Sequence, residues 1–277
     1  MAFEIPPVTA FVLLSGADAG LLDGERIAAQ LAADWSLDTG VSPVQAALPS
    51  DRPEPATAVA AAALTVADCA VDLFLMQGRL AEPDGLSELA LEGSGWYADE
   101  PFDGEHVAYL EVRIAEGDGE RSRPVLGTLL TQVVASLLAL EERAVAVHYM
   151  PSFTIVDPPS FREVATGFLP DRSPYPIWLQ LRMLEAELPD GEPITSGFTL
   201  GLAWLGFAEL ELEPLPAPGD YGAAVLRAAA ASVIGGDLEL RDGAEFGGDQ
   251  KFRLTRSDEP RYSNAEVVYA VTPVFED

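Results

Sequence analysis

The sequence predicts an α+β protein: two packed halves of mixed or antiparallel sheet, with helices on one face. Two observations predict it. The apolar run at residues 10–14 and the mostly apolar stretches 71–76 and 144–150 have the length of strands. Between them lies a helical stripe, most clearly Leu126, Leu129, Leu130, Val133, Leu137 and Leu138, spaced three and four residues apart. The resulting order of strand, helix, strand, helix, strand fits helices laid over a sheet.

Residues 10–14 are apolar throughout, as expected for a strand buried on both faces. A helix follows over 21–35, with Ile27, Leu31 and Trp35 in phase and Asp23 as its cap. Pro43, Pro49, Pro53 and Pro55 break the next stretch, and 50–55 reads as an exposed loop. The Ala-rich run 58–66 suits helix or strand, and the sheet forming around it favours strand. After the strand 71–76, Pro83-Asp84 opens a helix that carries Trp96 and runs to Tyr97. In the strand 106–114, Ala108, Leu110, Val112 and Ile114 share one face, while Tyr109, Glu111 and Arg113 share the other. Pro124 starts the long helix, and 144–150 is again a strand.

Pro151, Pro158 and Pro159 end that unit, 160–168 forms a short helix, and 171–176 separates a first region, 1–170, from a second, 171–277. The second region reads as strands at 177–185, 198–202 and 209–213, a rigid link at 214–219 and a helix at 221–234. Strands at 252–255 and 267–271 complete it. The two halves together have a ferredoxin-like flavour. Glycines punctuate the stretch 197–247; Gly201 and Gly206 bracket an apolar turn, Glu209-Leu-Glu-Leu alternates like a half-exposed strand, and Asp242-Gly243 reads as a hairpin turn.

Thr199, Gly201, Leu202, Gly206 and Glu209-Leu-Glu are followed by a helix ending near Gly235-Gly236, then by Asp242-Gly243 and Gly247. Together they resemble the bacterial domain of unknown function DUF4261. Phe207-Ala208 stands where that family carries a Pro before its Glu. Upstream, the strand 71–76, the helix with Trp96 and the strand opening His106-Val-Ala-Tyr109 resemble the region that usually precedes the domain. Tyr109 occupies the place of a second His there, which weakens any two-histidine site. The resemblance implies a fold and no chemistry.

Across 277 residues, 45 acids stand against 16 bases, a formal net charge of −29, and Lys251 is the only lysine. Hydrophobic content of 48% marks a globular chain able to bury a proper core. Repulsion excludes bare phosphate backbones and anionic membranes as partners. A basic protein partner fits this charge, and so does a compositional bias toward acids. The single cysteine, Cys69, forms no intramolecular disulfide and fits a reducing compartment. The N-terminal apolar run at 8–14 lacks preceding bases, so it reads as a strand, not a signal peptide. The expectation is cytoplasmic.

No Gly-x-x-x-x-Gly-Lys loop occurs, and Gly93-Ser94-Gly95 lacks the spacing of a nucleophile elbow. With His106, His148 and one cysteine, the multi-ligand zinc frameworks are absent. Asp99, Glu100, Asp103, Glu105 and His106 form the densest donor cluster, but without Ca²⁺-loop spacing it reads as a solvated acidic loop. No metal and no cofactor is expected. His106 reads as a hydrogen-bonded histidine at a strand start. His148 occupies the matching end of its own strand, and adjacent strands would let the pair approach as a pH-sensitive group. Trp204 is either core or an interface anchor displayed by its glycine-bracketed turn. The expected function is a non-catalytic protein-binding module, of immunity or adaptor type. The alternative is a hydrolase using His106 with Asp103 or Glu105.

Overall fold

The computed structural model describes residues 8–42, 57–80, 91, 102–115, 121–263 and 265–275. The loop at 50–55 and the helix carrying Trp96 lie outside them. The fold is α+β, with two mostly antiparallel sheets, and the chain divides into two compact units, Met1–Ile177 and Trp178–Asp277.

The first unit is built on seven strands: β1 (Val8–Leu14), β2 (Thr39–Ser42), β3 (Thr57–Val66), β4 (Cys69–Gln77), β5 (Ala108–Ala115), β6 (Ala144–Tyr149) and β7 (Thr154–Val156). Their spatial order is β2-β3-β4-β5-β1-β6-β7, and every neighbouring pair is antiparallel. One face carries Val8, Ala10 and Val12 beside Leu110, Val112 and Ile114. Helices α1 (Gly24–Trp35), α2 (Arg123–Leu140) and α3 (Pro158–Phe168) serve this side. The other face carries Phe11, Leu13, Phe74, Met76 and Tyr109, which are buried with Leu80 and packed by Leu91 and Phe102. Burial on both faces is why β1 and β4 are mostly apolar, with Thr9 and Asp72 as interruptions.

Local chemistry starts and stitches these helices. Asp23 accepts from the N–H groups of Glu25 and Arg26 at the start of α1. Pro158-Pro159 opens α3 instead of ending a unit, with Asp157 accepting from Ser160 N–H. Helix α2 is buried nearly all round from Leu126 to Leu138. By length and hydropathy it is the one described helix that could cross a membrane, and its polar residues point into partners. Ser136 donates to Asp34 of α1 at 2.8 Å, Trp35 donates to Ser136 at 3.0 Å, and Arg162 of α3 donates to the Ala135 carbonyl at 2.7 Å.

The chain passes between units through the short helix α4 (Tyr175–Trp178). The strand expected from 177 therefore begins at Gln180. The second unit holds β8 (Gln180–Glu187), β9 (Pro193–Leu200), β10 (Glu209–Leu215), α5 (Gly219–Gly235), β11 (Glu245–Gly247), β12 (Lys251–Ser257) and β13 (Val268–Pro273). The sheet runs β11-β12-β13-β10-β9-β8, with β10 and β13 parallel and the other pairs antiparallel. Helix α5 lies on β8, β9 and β10 through Val225, Leu226, Ala229, Ala230 and Val233. Two expectations are corrected. The link at 214–219 is shorter, since Leu215 still pairs with Thr195. Asp242-Gly243 turns ahead of β11, with the Gly243 N–H bonded to the Leu254 carbonyl; the β11–β12 hairpin closes after Gly247.

Candidate functional site

The loop before β5 is a closed clamp. Asp103 accepts from the Glu105 N–H at 2.8 Å, and Glu105 is ion-paired with Arg79. His106, 4% exposed, donates from Nδ1 to the Gly104 carbonyl at 2.9 Å, while its Nε2 accepts from the Leu80 N–H at 2.9 Å. Those two bonds fix one neutral tautomer. Burial holds the imidazole below its usual pKa, reinforced by Arg79 nearby, although the Gly104 and Glu105 contacts oppose the shift. Next in the chain, Val107 accepts from Gly78 N–H and donates to the Leu14 carbonyl. The clamp thus ties the end of β4 and of β1 to the start of β5. The one lone pair a general base would use, on Nε2, is occupied by the Leu80 N–H, so this geometry gives the hydrolase reading no support.

His148 lies elsewhere. Strand β1 separates β5 from β6, so the structure does not make the two histidine strands neighbours. His148 pairs across the ladders with Phe11 and Ile155, and its ring stands 6.2 Å from that of Phe11. Neither ring nitrogen has a hydrogen-bond partner, and burial alone pushes the imidazole down to about 4. Glu111 shares this face, as it also pairs with Phe11, and is ion-paired to Arg113 at 2.5 Å. Arg113 in turn stacks over Phe74.

Two carboxylates in the second unit do more structural work than any expected site residue. Glu209 and Glu211, each 4% exposed, are buried along with Leu210 and Leu212, so the strand is not half-exposed as its alternation suggests. Glu209 Oε1 accepts from the N–H groups of Gly201 and Ala203 at 3.0 and 2.9 Å, and Oε2 accepts from the Thr199 hydroxyl at 2.7 Å. Thr199 accepts from Leu210 N–H, which closes the cradle. Gly201 sits at φ +114°, a conformation that glycine adopts without strain. Burial raises the Glu209 pKa, against the lowering effect of these donors. Glu211 holds a second loop: it accepts from the N–H groups of Arg261, Tyr262 and Ser263, and from the Ser263 hydroxyl. The clue in the sequence was a Thr-x-Gly turn ten residues ahead of an acid in an apolar strand. Trp204 is half-buried in the turn, while Leu202 and Leu205 fill the core beneath it.

Among the described residues no group of three or more His, Cys, Asp or Glu side chains is placed to hold a metal ion. Cys69 is buried and free. No family model, no curated protein and no solved structure matches the chain. The likeness to DUF4261 rests on the quoted residues alone. The Thr199–Gly201–Glu209 cradle gives those residues a structural task.

Proposed function

We propose that the chain is a non-catalytic protein-binding module, of immunity or adaptor type, whose acidic surface meets a basic partner protein in the cytoplasm of a bacterium. The observation that carries this reading is where the acids stand. Of 45 acidic residues, the buried ones among the described residues are Glu111, Glu141, Glu209 and Glu211. Glu141, Glu209 and Glu211 are held by hydrogen-bond donors of the chain itself, and Glu111 by Arg113. The other described acids retain exposure to solvent, and 16 bases are too few to neutralise them. A surface of one sign steers an oppositely charged partner and repels nucleic acid. The kinship with DUF4261 belongs to the same proposal.

The test is affinity capture from lysate of the source organism at low and high salt, with bound proteins identified by mass spectrometry. A stoichiometric basic protein, released as salt screens the contact, is the expected result. Absence of any stoichiometric partner at both salts overturns the reading.

A further inference from the structure

We propose that the outer edge of β8 binds an extended, arginine- or lysine-rich peptide segment as an added strand. This rests on the protein-binding reading and names the surface and the partner chemistry. Strand β8 ends its sheet, and its register with β9 runs unbroken from Gln180↔Leu200 to Glu187↔Pro193. The ladder's phase follows from its closed end. Leu188 N–H bonds to the Glu192 carbonyl, whereas Pro193, opposite Glu187, has no N–H to give. Antiparallel pairs alternate between bonded and non-bonded. The backbone groups of Glu187 and Glu185 therefore point outward, and those of Ala186 point to β9.

The outward residues are also the charged ones. Leu184, Glu185, Ala186 and Glu187 are all exposed, and the edge continues into Asp190 and Glu192 at the hairpin end. Beside the strand lies a groove of about 330 Å³, walled by Ile194, Ala217, Pro218 and Gly219 and rimmed by Glu185 and Glu187. The N-terminus of α5 points here with about +0.5 of an elementary charge. Against it stand Glu185, Glu187 and Asp220, so negative charge prevails.

Edges are commonly guarded by lysine, proline or a bulge, and this one has none within β8. Its exposed end is guarded by the carboxylates of Glu185 and Glu187, and the one base in the strand, Arg182, is partly buried further back. A second copy laid on the edge would set carboxylates against carboxylates, which disfavours self-association. A strand alternating basic and apolar residues meets Glu185 and Glu187 on one face, and Leu184 and Ala186 on the other.

The probe is a fluorescein-labelled peptide, Arg-Val-Arg-Val-Arg-Val, titrated by fluorescence anisotropy at 50 mM NaCl. Two controls accompany it: the same sequence N-methylated at alternate residues, and the double variant Glu185→Gln/Glu187→Gln. These exposed side chains make no bond within the ladder, and a thermal melt confirms that the variant folds. Saturable binding is expected, weakened about tenfold or more in the variant and lost with the methylated peptide. Equal binding to wild type and variant, or indifference to methylation, overturns the edge site while leaving the protein-binding reading standing. No binding of the peptide by wild type also overturns the edge site; the broader reading is then decided separately by the lysate capture.

Discussion

Glu209 shows how one side chain can define a loop. Its carboxylate accepts from two backbone N–H groups and the Thr199 hydroxyl, so removing it orphans donors that water reaches poorly. An unsatisfied buried donor costs about 1–3 kcal/mol. Glu209→Ala is therefore expected to destabilise the second unit by about 3 kcal/mol or more. Glu209→Gln keeps one acceptor and loses about 1 kcal/mol. Urea unfolding of the two variants measures this, and equal small losses would show that the turn holds itself. His148 presents the opposite case, a buried polar ring without partners. Its pKa drops from 6.5 in the unfolded chain to about 4 in the folded one, so the unfolded state binds the extra proton between those values. The associated stability is full above pH 6.5 and is lost as pH falls toward 4, by about 3 kcal/mol in total. His148→Leu is expected to abolish that part of the acid sensitivity and to be more stable than wild type at pH 5. Stability curves from pH 4 to 8 that run parallel for the two proteins would refute it.

At the level of elements, the strands and helices legible in the sequence were those whose pattern is set by burial alone. Strands β1, β4 and β6 are mostly apolar because both sheet faces are covered, and α2 is marked by its leucine stripe. The Ala-rich β3 was readable as a strand only from the sheet around it. Pattern failed where side chains answer to partners far along the chain. Alternation in Glu209-Leu-Glu-Leu says that two faces differ, not that the polar face is wet. The donors that allow Glu211 to be buried lie 50 to 52 positions away. The helical turn α4 carries Pro176 within four residues and has no periodicity to detect. Likewise His106 was readable as a hydrogen-bonded histidine, but the Leu80 N–H that occupies its second nitrogen is 26 positions away. The turn joining β3 and β4 places Ala67 and Asp68 at φ +46° and +62°. It does so without the Asn-Gly or Asp-Gly signature that announces such hairpins, so only the tight Val66↔Cys69 pairing reveals it.

For the whole molecule, the governing quantity is the charge of −29. Self-repulsion opposes the compact state, and ion pairs offset it only weakly. Arg241–Glu239 and Arg256–Asp258 lie with their side chains more than half exposed, as does Arg79–Glu105, and such pairs contribute about 0–1 kcal/mol each. Salt weakens attraction and repulsion alike, so the sign of its effect reports which is larger. With nearly three acids for every base, repulsion is the larger. Raising NaCl from 0.05 to 1 M shortens the screening length to about 3 Å. It is therefore expected to raise the melting temperature by about 3 °C or more, equivalent to about 1 kcal/mol for a chain of this size. Scanning calorimetry across that series decides the point, with equiosmolal sucrose separating screening from solute exclusion. A flat or falling melting temperature would mean that the arginine pairs outweigh the excess acids. The surface would then be electrostatically satisfied, and a basic partner would gain little by docking on it. A rising one means that free energy is stored in the bare acidic surface, where a basic partner would release it on binding.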